Sequence, residues 1–392
     1  MKTFIIKLIQ CFYRKEIIMN PKYSQLFESF TLKSGVTLDN RLLMAPMTTN
    51  SAFENGMITT DERIYYRRRA SGVSAILTAC AHVQENGKFA ASPSISSDKQ
   101  IKSLAKLAQA IQSTGSKAIL QIFHVGRMGT SENLRGEQPV SASDIPALRD
   151  NADTPRALSE EEVYELIDAF AQATRRAIEA GFDGIELHGA NTYMIQQFFS
   201  PHSNRRNDHF GGSLEKRMNF PIEVVKAAQE MIEKHAKKPF AFGYRISPEE
   251  LEEPGITLED TISLMNRLKK FDLDYFHISL GDIFASSIRN KEDKTPILEI
   301  LQKEVGKDIP LIGVGQVSTP DDAVKAMNDF DIPLIAIGRQ LLVDPDWVEK
   351  VENGEEETIY SHIEADDRED LKIPDAMWEY VRSRPNWVPI SE

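Results

Sequence analysis

Eight short apolar runs, each followed by a stretch of helical period, constrain this chain more than any other feature. The runs cover residues 41–47, 74–81, 117–125, 184–189, 240–246, 275–280, 310–315 and 334–337. They are β-rich or continuously apolar, as strands buried on both faces of a parallel sheet must be. Helical periodicity occupies residues 60–70, 98–113, 159–180, 214–235, 257–270, 295–305, 319–330 and 345–353. Several of these open on a cap: Ser159 precedes three glutamates, and Thr257 and Thr319 precede early acids. Parallel strands need helical crossovers, so the alternation predicts an α/β chain, with a (β/α)8 TIM barrel leading and an open doubly wound sheet as the alternative. Residues 30–32 and 36–38 flank Lys33-Ser34-Gly35 and predict an N-terminal hairpin. Long loops, residues 126–158 and 191–212, follow two of the strands. In a barrel, loops after strands form the catalytic face.

Composition sets the limits on function. With 46 Lys and Arg against 59 Asp and Glu, the net charge is −13, which argues against nucleic-acid or anionic-membrane partners. Cys11 and Cys80 are the only cysteines, so neither a disulfide scaffold nor a Cys-rich metal site is expected. The histidines form no H-E-x-x-H pattern, and no metal site is expected from them. No run approaches the ~20 apolar residues of a membrane span, and a cytoplasmic protein is the expectation. Length alone suggests two or three domains of about 150 residues. The pattern instead assigns residues 20–353 to one barrel and 354–392 to a Trp-containing C-terminal arm, either packed or exposed. Residues 1–19 read as an extension or disordered tail, since Lys7 interrupts the apolar run and no A-x-A-like cleavage pattern follows.

Chemistry-bearing residues gather at predicted strand ends. The fourth strand runs into His188-Gly-Ala-Asn191-Thr-Tyr193, whose imidazole and amide can converge on one developing oxyanion while the tyrosine supplies a proton. A structural histidine and a packed tyrosine are the alternative. Strands seven and eight end in Gly313-Val-Gly315 and Gly338-Arg339, where barrels commonly hold phosphate; tight turns into helices would look the same. Arg245 ends strand five and suits either an anionic ring or a salt bridge. Gln121, His124 and Arg127 end strand three, and Arg67-Arg68-Arg69 reads as a solvated helical face.

Taken in order and spacing, these residues resemble the Old Yellow Enzyme family of flavin-dependent ene-reductases over roughly residues 20–350. The matching stretches are 40–48 (Asn40-Arg41-Leu-Leu-Met-Ala-Pro46-Met47-Thr48), 121–127, 188–193 and 200–213. The resemblance implies a barrel binding FMN non-covalently, reduced by NADH or NADPH. Pro46, Met47 and Thr48 would line the flavin, and Gln121 would meet its pyrimidine edge. Arg245 would sit near N1, and Gly315, Gly338 and Arg339 would hold the phosphate. His188 and Asn191 would bind the carbonyl or nitro oxygen of a small electrophilic substrate, with Tyr193 as proton donor. Threonine at 48 speaks against the thiol tuning found in one subclass, and Cys80 falls beside the expected flavin with no assigned role. Two readings compete: a non-catalytic flavin store or sensor, and a flavin-free phosphate-binding lyase or isomerase. A homo-oligomer is compatible with all three, and the choice between NADH and NADPH stays open.

Overall fold

A computed structural model describes residues 19–391, so the extension assigned to residues 1–19 lies almost wholly outside the described part. Eight parallel strands close on themselves: β1 (Leu42–Met44), β2 (Ala75–Leu77), β3 (Lys117–Phe123), β4 (Gly184–Gly189), β5 (Ala241–Ile246), β6 (Tyr275–Ile278), β7 (Leu311–Val314) and β8 (Leu334–Ile337). Each pairs with the next, and β8 pairs with β1. This is the (β/α)8 barrel, and the open sheet is excluded by that last pairing.

The crossovers include α1 (Thr60–Arg69), α2 (Ile101–Gln112), α3 (Glu160–Glu179), α4 (Asn219–His235), α5 (Leu258–Leu268), α6 (Ile297–Leu301), α7 (Pro320–Phe330) and α8 (Trp347–Glu352). The caps act as their residues dictate. Ser159, Thr257 and Thr319 each accept a hydrogen bond from the third residue of their helix, whose acidic side chain bonds back. These boxes satisfy amides that no helical carbonyl can reach. The helix expected over residues 214–235 breaks at Met218 into a four-residue turn and α4.

The hairpin closes the bottom of the barrel. Phe30–Thr31 pairs antiparallel with Thr37–Leu38, and Leu32, Val36 and Leu38 pack with inward residues such as Leu43, Ala75, Ala241 and Tyr275. The backbone N–H of Ser34 donates to Asp274 at 2.7 Å, tying the turn to the foot of β6. Among the described residues the hairpin thus covers the end of the barrel opposite the C-terminal ends of its strands.

The C-terminal arm folds back rather than projecting. Its helix α9 (Asp375–Arg382) buries Met377, Trp378 and Val381, and Arg69 of α1 donates to the Leu371 carbonyl at 2.8 Å. The expectation of a solvated arginine face is therefore wrong for two of its three residues. Arg69 is fully buried with its guanidinium 4.1 Å from the Tyr65 ring centre, and Arg68 forks onto both carboxylate oxygens of Asp346. The arm supplies the partner of the buried Arg69, and Asp346, at the N-cap position of α8, pairs with the half-buried Arg68; neither is visible from α1 alone.

Candidate active site

A cavity of about 900 Å³ lies at the C-terminal ends of β1, β5, β7 and β8. Pro46 and Met47 follow β1, Arg245 comes from β5, Gly315 follows β7, and Gly338 with Arg339 follows β8; all six line it. Asn386, Trp387 and Pro389 of the arm, with Tyr360, line its outer side. The Gly315 position demands glycine: its φ is +130°, and a Cβ would sit 2.8 Å from the Asp282 backbone nitrogen. Arg339 donates one hydrogen bond, at 3.3 Å, to the Trp387 carbonyl.

Arg245 links this cavity to the β4 end. It is 8% exposed, donates to Ser279 Oγ at 3.1 Å, and leaves its Nε without a partner. Ser279 in turn donates to Asn191 Oδ1 at 2.8 Å. That commits the amide oxygen and turns Nδ2, the donating end, the other way. Asn191 and Thr192 both have positive φ, +56° and +62°, so the chain turns sharply as β4 ends. Asparagine tolerates this conformation and threonine resists it. The turn is held from behind, because Gln197 Nε2 donates to the Thr192 carbonyl at 2.6 Å and the Thr192 N–H donates to Gln196 Oε1 at 3.0 Å.

His188 pairs in register with Arg245 and lies almost fully buried. Its Nδ1 accepts from the Ala190 N–H at 3.3 Å. Burial, with Arg245 and His277 nearby, holds its pKa well below the ordinary imidazole value. The neutral ring therefore carries its proton on Nε2, as a hydrogen-bond donor. Tyr193 stands edge-on to His188 with ring centres 4.9 Å apart, and edge-on to Phe123 at 5.1 Å. Burial first, then the nearby Cys80, raise its hydroxyl above the ordinary phenol value, so it keeps its proton.

Cys80 packs with Phe123, Val125 and Tyr193, and burial pushes its thiol up to about 12, so it is not a thiolate. Thr48 is half-buried directly after the Pro46–Met47 wall. Gln121 takes an unexpected partner, donating from Nε2 to Glu186 Oε1 at 2.7 Å. His124 and Arg127 serve the loops. His124 accepts from the Gly126 N–H, and Arg127 is buried against the Pro146 carbonyl and His202.

Residues 25–358 match the model of the NADH:flavin oxidoreductase / NADH oxidase family. The chain belongs to that family. Members of this Old Yellow Enzyme family carry FMN and draw on NADH or NADPH, and this chain is an oxidoreductase of that kind. It is 44% identical to a probable NADH-dependent flavin oxidoreductase of Bacillus subtilis, across 95% of this chain and 100% of that one. It is 45% identical to the NADH:acrylate oxidoreductase of Vibrio harveyi over 91% of this chain, which spans only 36% of that longer protein. The solved old yellow enzyme homologue of Zymomonas mobilis superimposes with a TM-score of 0.71 at 26% identity, covering 83% of this chain and 92% of that one.

The residues present suit the family's FMN. Arg245, a largely buried guanidinium whose Nε–H has no partner, is among the residues lining the cavity and suits an electron-rich ring edge. A glycine-walled end with Arg339 offers the kind of donors a phosphate group needs. Sequence reasoning missed Glu186, Ser279, Gln196 and Trp387. The spacing of Glu186, two residues before His188 on one strand, was the available signal, because it places both on the same face.

Proposed function

We propose that this protein reduces electron-poor alkenes such as enones, with nitroalkenes as a second class, at the expense of NADH or NADPH. The observation that carries this reading is the His188–Tyr193 contact at the end of β4, with Asn191 tied through Ser279 to Arg245, which lines the cavity. Bound there, FMN would supply the hydride chemistry, linking oxidation of the nicotinamide to reduction of the substrate's β-carbon. Pro46, Met47 and Thr48 would hold one side of the ring, Gln121 and Arg245 its pyrimidine end, and Gly315, Gly338 and Arg339 the phosphate.

The chain's own residues do the rest. His188 Nε2–H and Asn191 Nδ2–H donate to the activating oxygen and stabilise the negative charge that reaches it when the β-carbon gains hydride. Each such donor is worth about 2.7–4 kcal/mol when preorganised. Asn191 is preorganised by Ser279 and by the strained turn that Gln196 and Gln197 hold. Tyr193 then gives its proton to the α-carbon and regains one from solvent, so one NAD(P)H and one proton are consumed per alkene. No described helix is long and apolar enough to cross a membrane, and the cytoplasm, where NAD(P)H is available, suits the activity.

Replacing His188 and Asn191 together with alanine tests the assignment. Enone turnover should fall by at least 100-fold and phenol binding should weaken, while FMN stays bound. Unchanged turnover in the variant would sink the oxyanion assignment.

A further inference from the structure

Glu186 is a carboxyl group with no solvent around it. It lies on β4, wholly buried inside the barrel, in register with Gln121 on β3 and Gly243 on β5. Glycine at 243 leaves room for the Tyr275 ring, which a Cβ there would meet at 2.1 Å. The two carboxylate oxygens have different partners. Oε1 accepts from Gln121 Nε2 at 2.7 Å, and Oε2 pairs with His277 Nδ1 at 2.9 Å. Arg245 lies one inward position further along β5 than Gly243, and Glu186 is the first of the charges acting to hold it protonated against burial. An uncompensated charge at such depth costs several kcal/mol, so a group surrounded by donors and a cation is held there as an acceptor.

We propose that Glu186 is a positioning residue for the cofactor: its carboxylate fixes which end of the Gln121 amide faces the FMN ring and partly neutralises Arg245 beneath it. The inference rests on the FMN reading and deepens it. A carboxylate offers no proton, so it takes the NH2 end of Gln121 and leaves the amide oxygen facing the other way. The pyrimidine edge of FMN carries a single donor, its imide N–H, and an acceptor is what that donor needs. Arg245 meanwhile favours the reduced, anionic ring. Glu186 offsets part of that charge and so keeps the bound flavin a stronger reductant. It touches no reacting atom and acts only through Gln121 and Arg245.

The test uses the FMN-loaded protein and anaerobic spectroelectrochemistry. Glu186→Gln should still bind FMN and show its colour. The ratio of reduced- to oxidised-FMN affinity should rise about tenfold, a potential about 30 mV more positive for a two-electron couple. Glu186→Asp, which keeps the charge but retracts it, should hold the wild-type potential while weakening FMN binding several-fold. A wild type that binds FMN and an E186Q variant that matches it in potential and spectrum would overturn the proposal alone. A wild type that takes up no FMN would defeat the flavin reading, and the proposal with it. Should E186Q fail to fold, a cycle of E186D with Q121M decides. E186D must weaken FMN binding when Gln121 is present and leave it unchanged in Q121M; equal weakening in both backgrounds overturns the idea.

Discussion

Glu62, in the first turn of α1, shows how burial alone can set a pH dependence. One oxygen accepts from Thr49 Oγ1 at 2.7 Å, and the other is buried without a partner. Desolvation raises its pKa from 4.5 to about 7, against the opposing pull of Thr49 and the Thr59 cap. The native state thus binds a proton more tightly than the unfolded chain. Below pH 4.5 both states are protonated and nothing is lost; as pH rises from there to about 7, the native carboxyl increasingly costs stability. Glu62→Gln should therefore match the wild type near pH 4.5 and gain on the order of 2 kcal/mol at pH 8, read from urea midpoints. A gain equal at both pH values would show that the carboxyl's ionisation is not the cause. Tyr193 carries the second residue-scale expectation. Burial keeps its hydroxyl protonated, so Tyr193→Phe should slow enone reduction by 10- to 1,000-fold and leave reduction of the flavin by nicotinamide within a factor of two or three. Rapid-mixing measurements of the two half-reactions separate them, and equal slowing of both argues against proton donation.

Among elements, the barrel strands and capped helices were legible because parallel burial and capping chemistry write themselves into adjacent residues. Ser159 and Glu162 show this well: three residues apart, they bond each other's backbone at the start of α3. Partners distant in sequence were not legible. Arg69 read as solvated because the Leu371 carbonyl that accepts its hydrogen bond lies 302 residues away. Gln121 was read as a ring contact, and the Glu186 carboxyl that accepts from its NH2 end, 65 residues away, was not foreseen. The arm left its choice open in sequence and resolves it by packing. Trp378 and Met377 bury against the barrel while Trp387 reaches the cavity beside Arg339. An arm in that position should slow cofactor release. Truncation after Pro374 should raise the FMN dissociation rate at least tenfold, measured by recovery of free-flavin fluorescence on dilution. A rate unchanged by truncation would show that the arm only covers apolar surface.

At the scale of the whole molecule, the two ends of the barrel differ: one is covered by the hairpin and the other carries the cavity. The hairpin packs Leu32, Val36 and Leu38 onto the N-terminal end, and among the described residues the cavity opens at the C-terminal ends of the strands. Within a chain of net charge −13, Arg245 and Arg339 give that face a local cationic floor. Net charge therefore says nothing of the two arginines that line the cavity. The measurement that bears most directly on the whole account is an anaerobic titration of the purified protein, followed by its visible absorbance. The preparation should be yellow from bound FMN, lose that colour on addition of NADH or NADPH, and regain it when an enone is added. A colourless protein that takes up no FMN, or a bound flavin that neither nicotinamide can bleach, would contradict it.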